Sequence, residues 1–269
     1  MRLYPKSEPN SHSMPKARYE SYIILTSPRS GSTLLCKLLE ATGKSGIPDS
    51  YFHNPSLSGW LKSHELCSDD FASDRDALSE IINSARKRGT GDTGIFGLRL
   101  QRGSFDFFMQ QITMLQPGFK SDVERIQAEF GNTLFIYLAR QSKLEQAISR
   151  VKAIQTGLWH KAADGTEMER QSDPKEPYYD AEAISRNLAE LTALDEAWLN
   201  WFEQQRLLPL KLSYDELSHN PATVLARVLR ELGLDETMAH AINPPVAKLA
   251  DATNRIWAEY YSAQMGNSR

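Results

Sequence analysis

Ser27-Pro28-Arg29-Ser30-Gly31-Ser32-Thr33 is the stretch of this chain best equipped for chemistry. Arg29 brings a permanent charge, and Ser30, Ser32 and Thr33 bring hydroxyl donors. Gly31 lets the backbone come close to a ligand. An apolar run, Tyr22-Ile23-Ile24-Leu25, leads into the segment, and Leu34, Leu35, Leu38 and Leu39 follow it at helical spacing. A strand, a tight turn and a helix N-terminus in that order make an anion site. The first N–H groups of the helix have no partner inside it, and its dipole favours negative charge. The expected ligand is a phosphate or a group of the same shape, held by Arg29, Ser30, Gly31, Ser32 and Thr33. A plain strand–helix turn with a serine cap would explain one hydroxyl but not this whole set.

The segment departs from the G-x-x-x-x-G-K-[S/T] loop of nucleoside triphosphatases. With Gly31 as the second glycine, Thr26 stands at the first and Ser32 at the lysine. The charge has moved to Arg29, ahead of the glycine. Lacking that lysine and an evident magnesium partner, a triphosphate is disfavoured. A phosphosulfate carries less charge and needs no metal. A second arginine, Arg140, directly follows the apolar run Thr133–Ala139, and Ser149 comes about two helical turns later. Both can converge on one anion, beside the first loop if the two strands are neighbours.

The elements that must position these residues are legible from periodicity. Thr133–Ala139 is the strongest strand signal, and its continuous apolar character suits a sheet covered on both faces. Gly94–Leu100 reads as a second strand and Leu208–Ser213 as a short last one. Helices are expected over 32–42, near 105–115, over 142–156, and from Ala181 to Gln205, where Ile184, Leu188, Leu191 and Trp198 share a face. Asn220-Pro221 opens another, which Gly233 closes. Strands alternating with helices predict an α/β protein of P-loop type, three layers with a central, mainly parallel sheet flanked by helices. Its ligand then lies at the carboxyl ends of the strands. Residues 44–75 read as an irregular wall of the substrate pocket and 161–180 as a mobile loop. Residues 1–21, polar and holding Pro5, Pro9 and Pro15, read as a flexible arm, and 22–269 as one domain.

Composition removes several function classes. A net charge of −3 sets up no field that favours nucleic acid. No apolar run approaches the roughly 20 residues that span a bilayer. Cys36 and Cys67 do not make a disulfide framework and fit a reducing cytoplasm. The six histidines lack metal-ligand spacing, so no metal is expected.

Taken in order, these segments resemble the bacterial trehalose 2-sulfotransferase-like family, which uses 3′-phosphoadenosine 5′-phosphosulfate (PAPS). The resemblance runs from Tyr22 to about Trp257. It rests on Ser27–Leu35, Arg140 with Gln146-Ala147-Ile148-Ser149, Ala153–Thr156 with Trp159, Glu196–Trp198, Trp201-Phe202, Tyr214–Leu217 and Ala250–Trp257. It implies that the opening loop holds the 5′-phosphosulfate and that Arg140 and Ser149 hold the 3′-phosphate. Arg29 would stabilise charge on the bridging oxygen as a sulfuryl group moves to a hydroxyl of a carbohydrate or glycolipid. Tyr51, Phe52, Trp60 and Trp159 could stack on sugar rings or equally be ordinary core or loop-packing residues.

Three positions depart from the family pattern. Its glutamate, the proposed base in a Pro-x-Glu-Phe-Phe-like segment, is replaced by Ser50 in Pro48-Asp49-Ser50-Tyr51-Phe52. Arg99 stands where a lysine is usual. The Arg140-to-Ser149 spacing of nine is one longer than in many animal sulfotransferases. His53 and Asp49 are the expected substitute bases. Two rival readings are a non-catalytic nucleotide-binding relative and a P-loop nucleotide kinase. The oligomeric state is unread, with a homodimer left open.

Overall fold

The computed structural model describes residues 18–247 and 249–266. The arm expected over residues 1–21 lies outside these as far as residue 17. Beyond it, the Arg18 N–H donates to the Leu232 carbonyl (3.0 Å) and the Glu20 N–H to that of Asn132 (2.9 Å).

Four strands form one sheet in the order β2-β1-β3-β6, with every neighbouring pair parallel. They are β1 (Ser21–Thr26), β2 (Phe96–Gln101), β3 (Thr133–Ala139) and β6 (Leu210–Ser213). Every residue of β1 is buried, as expected for a strand covered on both faces. Alternate residues enter separate cores. Ile23 and Leu25 join Phe105, Phe108, Trp198 and Trp201 on one side. Tyr22 and Ile24 join Leu35, Leu38, Leu39 and Leu225 on the other. The expected three-layer α/β architecture is therefore the observed one.

The helices are α1 (Ser32–Ala41), α2 (Leu57–Ser63), α3 (Asp74–Thr90), α4 (Arg102–Leu115), α5 (Asp122–Phe130), α6 (Lys143–Thr156), α7 (Ala181–Gln204), α8 (Tyr214–His219), α9 (Pro221–Leu232) and α10 (Ala252–Gly266). Among the described residues none is long and apolar enough to cross a membrane. A small antiparallel hairpin, β4 (Leu158–Lys161) and β5 (Glu167–Arg170), stands apart from the main sheet.

Two irregular segments of the sequence reading gain structure. Residues 44–75 contain α2, whose cap is Ser56, accepting from the Gly59 N–H. Seven residues are too few to display a helical period. Residues 161–180, read as a mobile loop, contain β5, paired to β4 across the Asp164-Gly165 turn. The polar stretch before β3 holds α5, announced by a capping box between Ser121 and Glu124.

Candidate active site

Sheet register sets the site. Thr26 lies level with Gln101 on one side and Leu138 on the other, and Ala139 lies level with Ser213. The turn after β1, Arg140 after β3 and Tyr214 after β6 thus emerge on one carboxyl edge. A cleft of about 600 Å³ opens there, lined by Arg29, Gly31, Ser32, Thr33, Arg140 and Ser149 together. His53 also lines it, on an exposed rim.

Two expected residues point elsewhere. The Ser30 hydroxyl is fully buried and bonds Thr26 Oγ1, so it braces the turn from inside. The Asp49 carboxylate accepts from the Ser50 N–H (2.7 Å) and from Arg99 Nη2 (3.1 Å) outside the lining.

Left-handed backbone shapes the turn, with φ of 63° at Arg29 and 82° at Gly31. Gly31 is also the N-cap of α1, and no side chain caps the helix. Its first N–H groups therefore face the cleft without a serine in the way. A Cβ at Gly31 would lie 2.5 Å from Cδ2 of Tyr214. The Tyr214 ring in turn carries the Arg140 guanidinium, 4.5 Å from its centroid.

The turn is held from behind by α6 and α7. Gln146 Nε2 donates to the Pro28 carbonyl (2.6 Å), and Trp198 Nε1 donates to that of Thr26 (2.8 Å). Ser27 Oγ donates to Asp195 Oδ1 (2.7 Å), whose other oxygen pairs with Lys143 Nζ. Asp195 is only 8% exposed. Its removal takes the counter-charge from Lys143, which keeps only the neutral Arg140 carbonyl and Gln146 Oε1, and takes the acceptor from the Ser27 hydroxyl. Breaking such a buried pair costs about 3 kcal/mol, so Asp195→Ala should lower the thermal midpoint by roughly 6–12 °C. A calorimetric shift of less than about 2 °C would contradict this bracing role.

Three arginines dominate the electrostatics. Arg29 Nε donates to Ser149 Oγ (3.0 Å) and its Nη1 to the Trp159 carbonyl (2.5 Å). Burial lowers the Arg29 pKa to about 10, with Tyr214 opposing and Arg140 adding to the fall, so it stays charged at neutral pH. Arg99 Nε donates to Ser50 Oγ (2.7 Å) and Nη1 to Thr33 Oγ1 (2.8 Å). Arg140 Nη2 pairs with Glu145 (2.8 Å), while its buried Nε has no hydrogen-bond partner among the described residues. Cations at Arg29 and Arg140, with helix N–H groups between, suit a ligand that carries two separated anions.

Sequence reasoning missed His160, on β4. Its Nε2 lies 3.1 Å from Thr33 Oγ1 inside the cleft. Burial, then repulsion from Arg29 and Arg99, lowers its pKa to about 4, so the ring is neutral at neutral pH. Glu169 Oε2, across the hairpin, is 3.5 Å from the same nitrogen. The signal available was the Asp164-Gly165 turn between two short polar runs, which marks a hairpin. Burial decides between the two readings of the aromatics. Phe52 and Trp60 are 0% exposed and pack edge to face at 4.9 Å, and Tyr51 is 6% exposed. They build core beside α3 and α4 and cannot stack on a sugar. Trp159 does line the cleft.

A family model described as Stf0 sulphotransferase matches residues 21–264. The trehalose 2-sulfotransferase of Mycobacterium tuberculosis is 27% identical over 268 residues, spanning 90% of this chain and 94% of that protein. The trehalose 2-sulfotransferase of Mycolicibacterium smegmatis is 27% identical over 260 residues, with the same shares of 90% and 94%. Among solved structures, a sulfotransferase from Alicyclobacillus acidocaldarius covers 90% of this chain and 91% of its own at 11% identity, with a TM-score of 0.42, too slight a likeness to bear on the site.

Proposed function

The chain belongs to the Stf0 sulphotransferase family, and on that premise we propose that it transfers a sulfuryl group from PAPS to a hydroxyl of a carbohydrate or glycolipid. The observation that carries this reading is the pair of cationic ends in one cleft. Arg29 and the uncapped N-terminus of α1 form one end, and Arg140, with a donor to spare, forms the other. A nucleotide bearing a 5′-phosphosulfate and a 3′-phosphate has anions to match both. Gly31, Ser32, Thr33 and the first N–H groups of α1 hold the 5′-phosphate, while Arg140 and Ser149 take the 3′-phosphate. Ser149 Oγ also accepts from Arg29 Nε.

Sulfuryl transfer resembles phosphoryl transfer in having little covalent work for a protein to do, so alignment and charge stabilisation carry it. Arg29 neutralises charge that builds on the bridging oxygen as the sulfur–oxygen bond opens. Support for a sugar acceptor comes from the trehalose 2-sulfotransferases to which the chain is similar. Cys36 and Cys67 are both free, in keeping with a reducing cytoplasm as the place of action.

The test is a binding and transfer pair. The chain should bind 3′,5′-adenosine bisphosphate at least about tenfold more tightly than ATP–magnesium, about 1.4 kcal/mol in affinity. It should also move labelled sulfate from PAPS to trehalose or another member of a sugar panel. Bisphosphate binding without transfer to any sugar would favour a non-catalytic relative. Preference for ATP–magnesium would favour a kinase.

A further inference from the structure

We propose that His160 is the group that takes the proton from the acceptor hydroxyl. The inference rests on the transfer reading above and supplies the base that Ser50 cannot be. Four observations converge on it.

His160 lines the cleft with Thr33, Ser50 and Arg29, so it faces the ground where donor and acceptor meet. Thr33 Oγ1 lies 3.1 Å from His160 Nε2 and accepts a hydrogen bond from Arg99 Nη1 (2.8 Å). The neutral ring acts as a base through Nε2 in its Nδ1–H tautomer. The ring is neutral at working pH, for the reasons of burial and arginine repulsion given above. Finally, Ser50 and Asp49 are committed to Arg99, and His53 is exposed to solvent.

The step balances without a further reactant. A bond forms between the acceptor oxygen and the sulfur of the phosphosulfate. The bond from sulfur to the bridging oxygen breaks, and its electron pair stays on the phosphate. The acceptor proton passes to His160 Nε2. Glu169, 3.5 Å from that nitrogen and exposed, relays it to solvent. The acceptor hydroxyl takes the place of the Thr33 hydroxyl at Nε2, which frees Thr33 to donate to the donor's anion.

The charged groups facing His160 are Arg29 from the turn after β1, Arg99 from β2 and Glu169 from β5. In the free protein the two arginines hold the ring back from protonation. An anion lodged against them offsets that repulsion, so the imidazole becomes more basic when the donor nucleotide is in place. Proton removal is thereby tied to donor binding.

The experiment compares wild type with His160→Gln and follows the imidazole titration by NMR. Expected are a fall in kcat of about a hundredfold or more in the variant and a dissociation constant for 3′,5′-adenosine bisphosphate within about twofold of wild type. The wild-type His160 resonance should titrate at higher pH once the bisphosphate is added. A variant kcat within about threefold of wild type overturns the assignment, as does a titration that the bisphosphate leaves unmoved. Joint loss of bisphosphate binding and turnover overturns it too, by showing a structural role. If wild type transfers no sulfate from PAPS to any acceptor, the transfer reading itself falls, and this inference with it.

Discussion

Arg29→Ala should lower the turnover of sulfate transfer from PAPS by at least about a hundredfold, the loss typical of removing one preorganised donor to developing charge. Its backbone is left-handed, at φ 63°. A non-glycine residue held there costs of order 1 kcal/mol and persists where the surrounding structure insists on it. Its guanidinium is drawn partly out of water, as the pKa of about 10 records. Both costs are tolerated to keep a cation at the mouth of α1. Arg29 also ties the turn to α6 through Ser149 and to β4 through the Trp159 carbonyl. Lysine cannot serve both partners with one planar fork, so Arg29→Lys should recover only part of the loss. Single-turnover transfer of labelled sulfate, with bisphosphate binding alongside, gives the readout. Near-normal turnover in Arg29→Ala would take this residue out of the chemistry.

Gly31→Ala should weaken bisphosphate binding by about tenfold or more, equivalent to about 1.4 kcal/mol, and should depress transfer with it. One contribution is conformational, because φ is 82° and a Cβ is disfavoured there by roughly 1–2 kcal/mol. The other is steric, since that Cβ would meet Tyr214 Cδ2 at 2.5 Å. The ring must move, and it supports the Arg140 guanidinium at 4.5 Å. A methyl group at one anion end therefore disturbs the other. Tyr214→Ala removes the obstacle, so Gly31→Ala combined with Tyr214→Ala should lose less than the sum of the single losses. Strict additivity, measured by titration calorimetry, would rule out this coupling.

How much of the site was legible depends on whether a residue's role was local. Arg29, Gly31, Ser32 and Thr33 were readable because strand, turn and helix start within a dozen or so residues, and each leaves its own pattern. Ser30 looked equivalent to its neighbours in the chain, yet its hydroxyl turns inward to Thr26. Asp49 was one expected base, but it bridges in parallel to Leu98, and the next residue, Arg99, engages its carboxylate. Tyr51, Phe52 and Trp60 resembled a sugar platform because aromatic composition does not distinguish a wall from a core. Packing against α3 and α4 decided that they are core.

By itself the sequence determined the layered α/β fold, the strand–turn–helix junction after the first strand and the second arginine after the third strand. These follow from local periodicity and from the geometry of a single strand–helix junction. Only the tertiary structure decided which strands are neighbours, and so that Arg29 and Arg140 open into one cleft. It alone placed Tyr214 beneath both Gly31 and Arg140, and it alone swung the β4–β5 hairpin over Thr33 to bring in His160. The physical reason is the same in each case. A contact between residues far apart in the chain depends on sheet order and side-chain direction, and neither is encoded in the spacing of residues along one element.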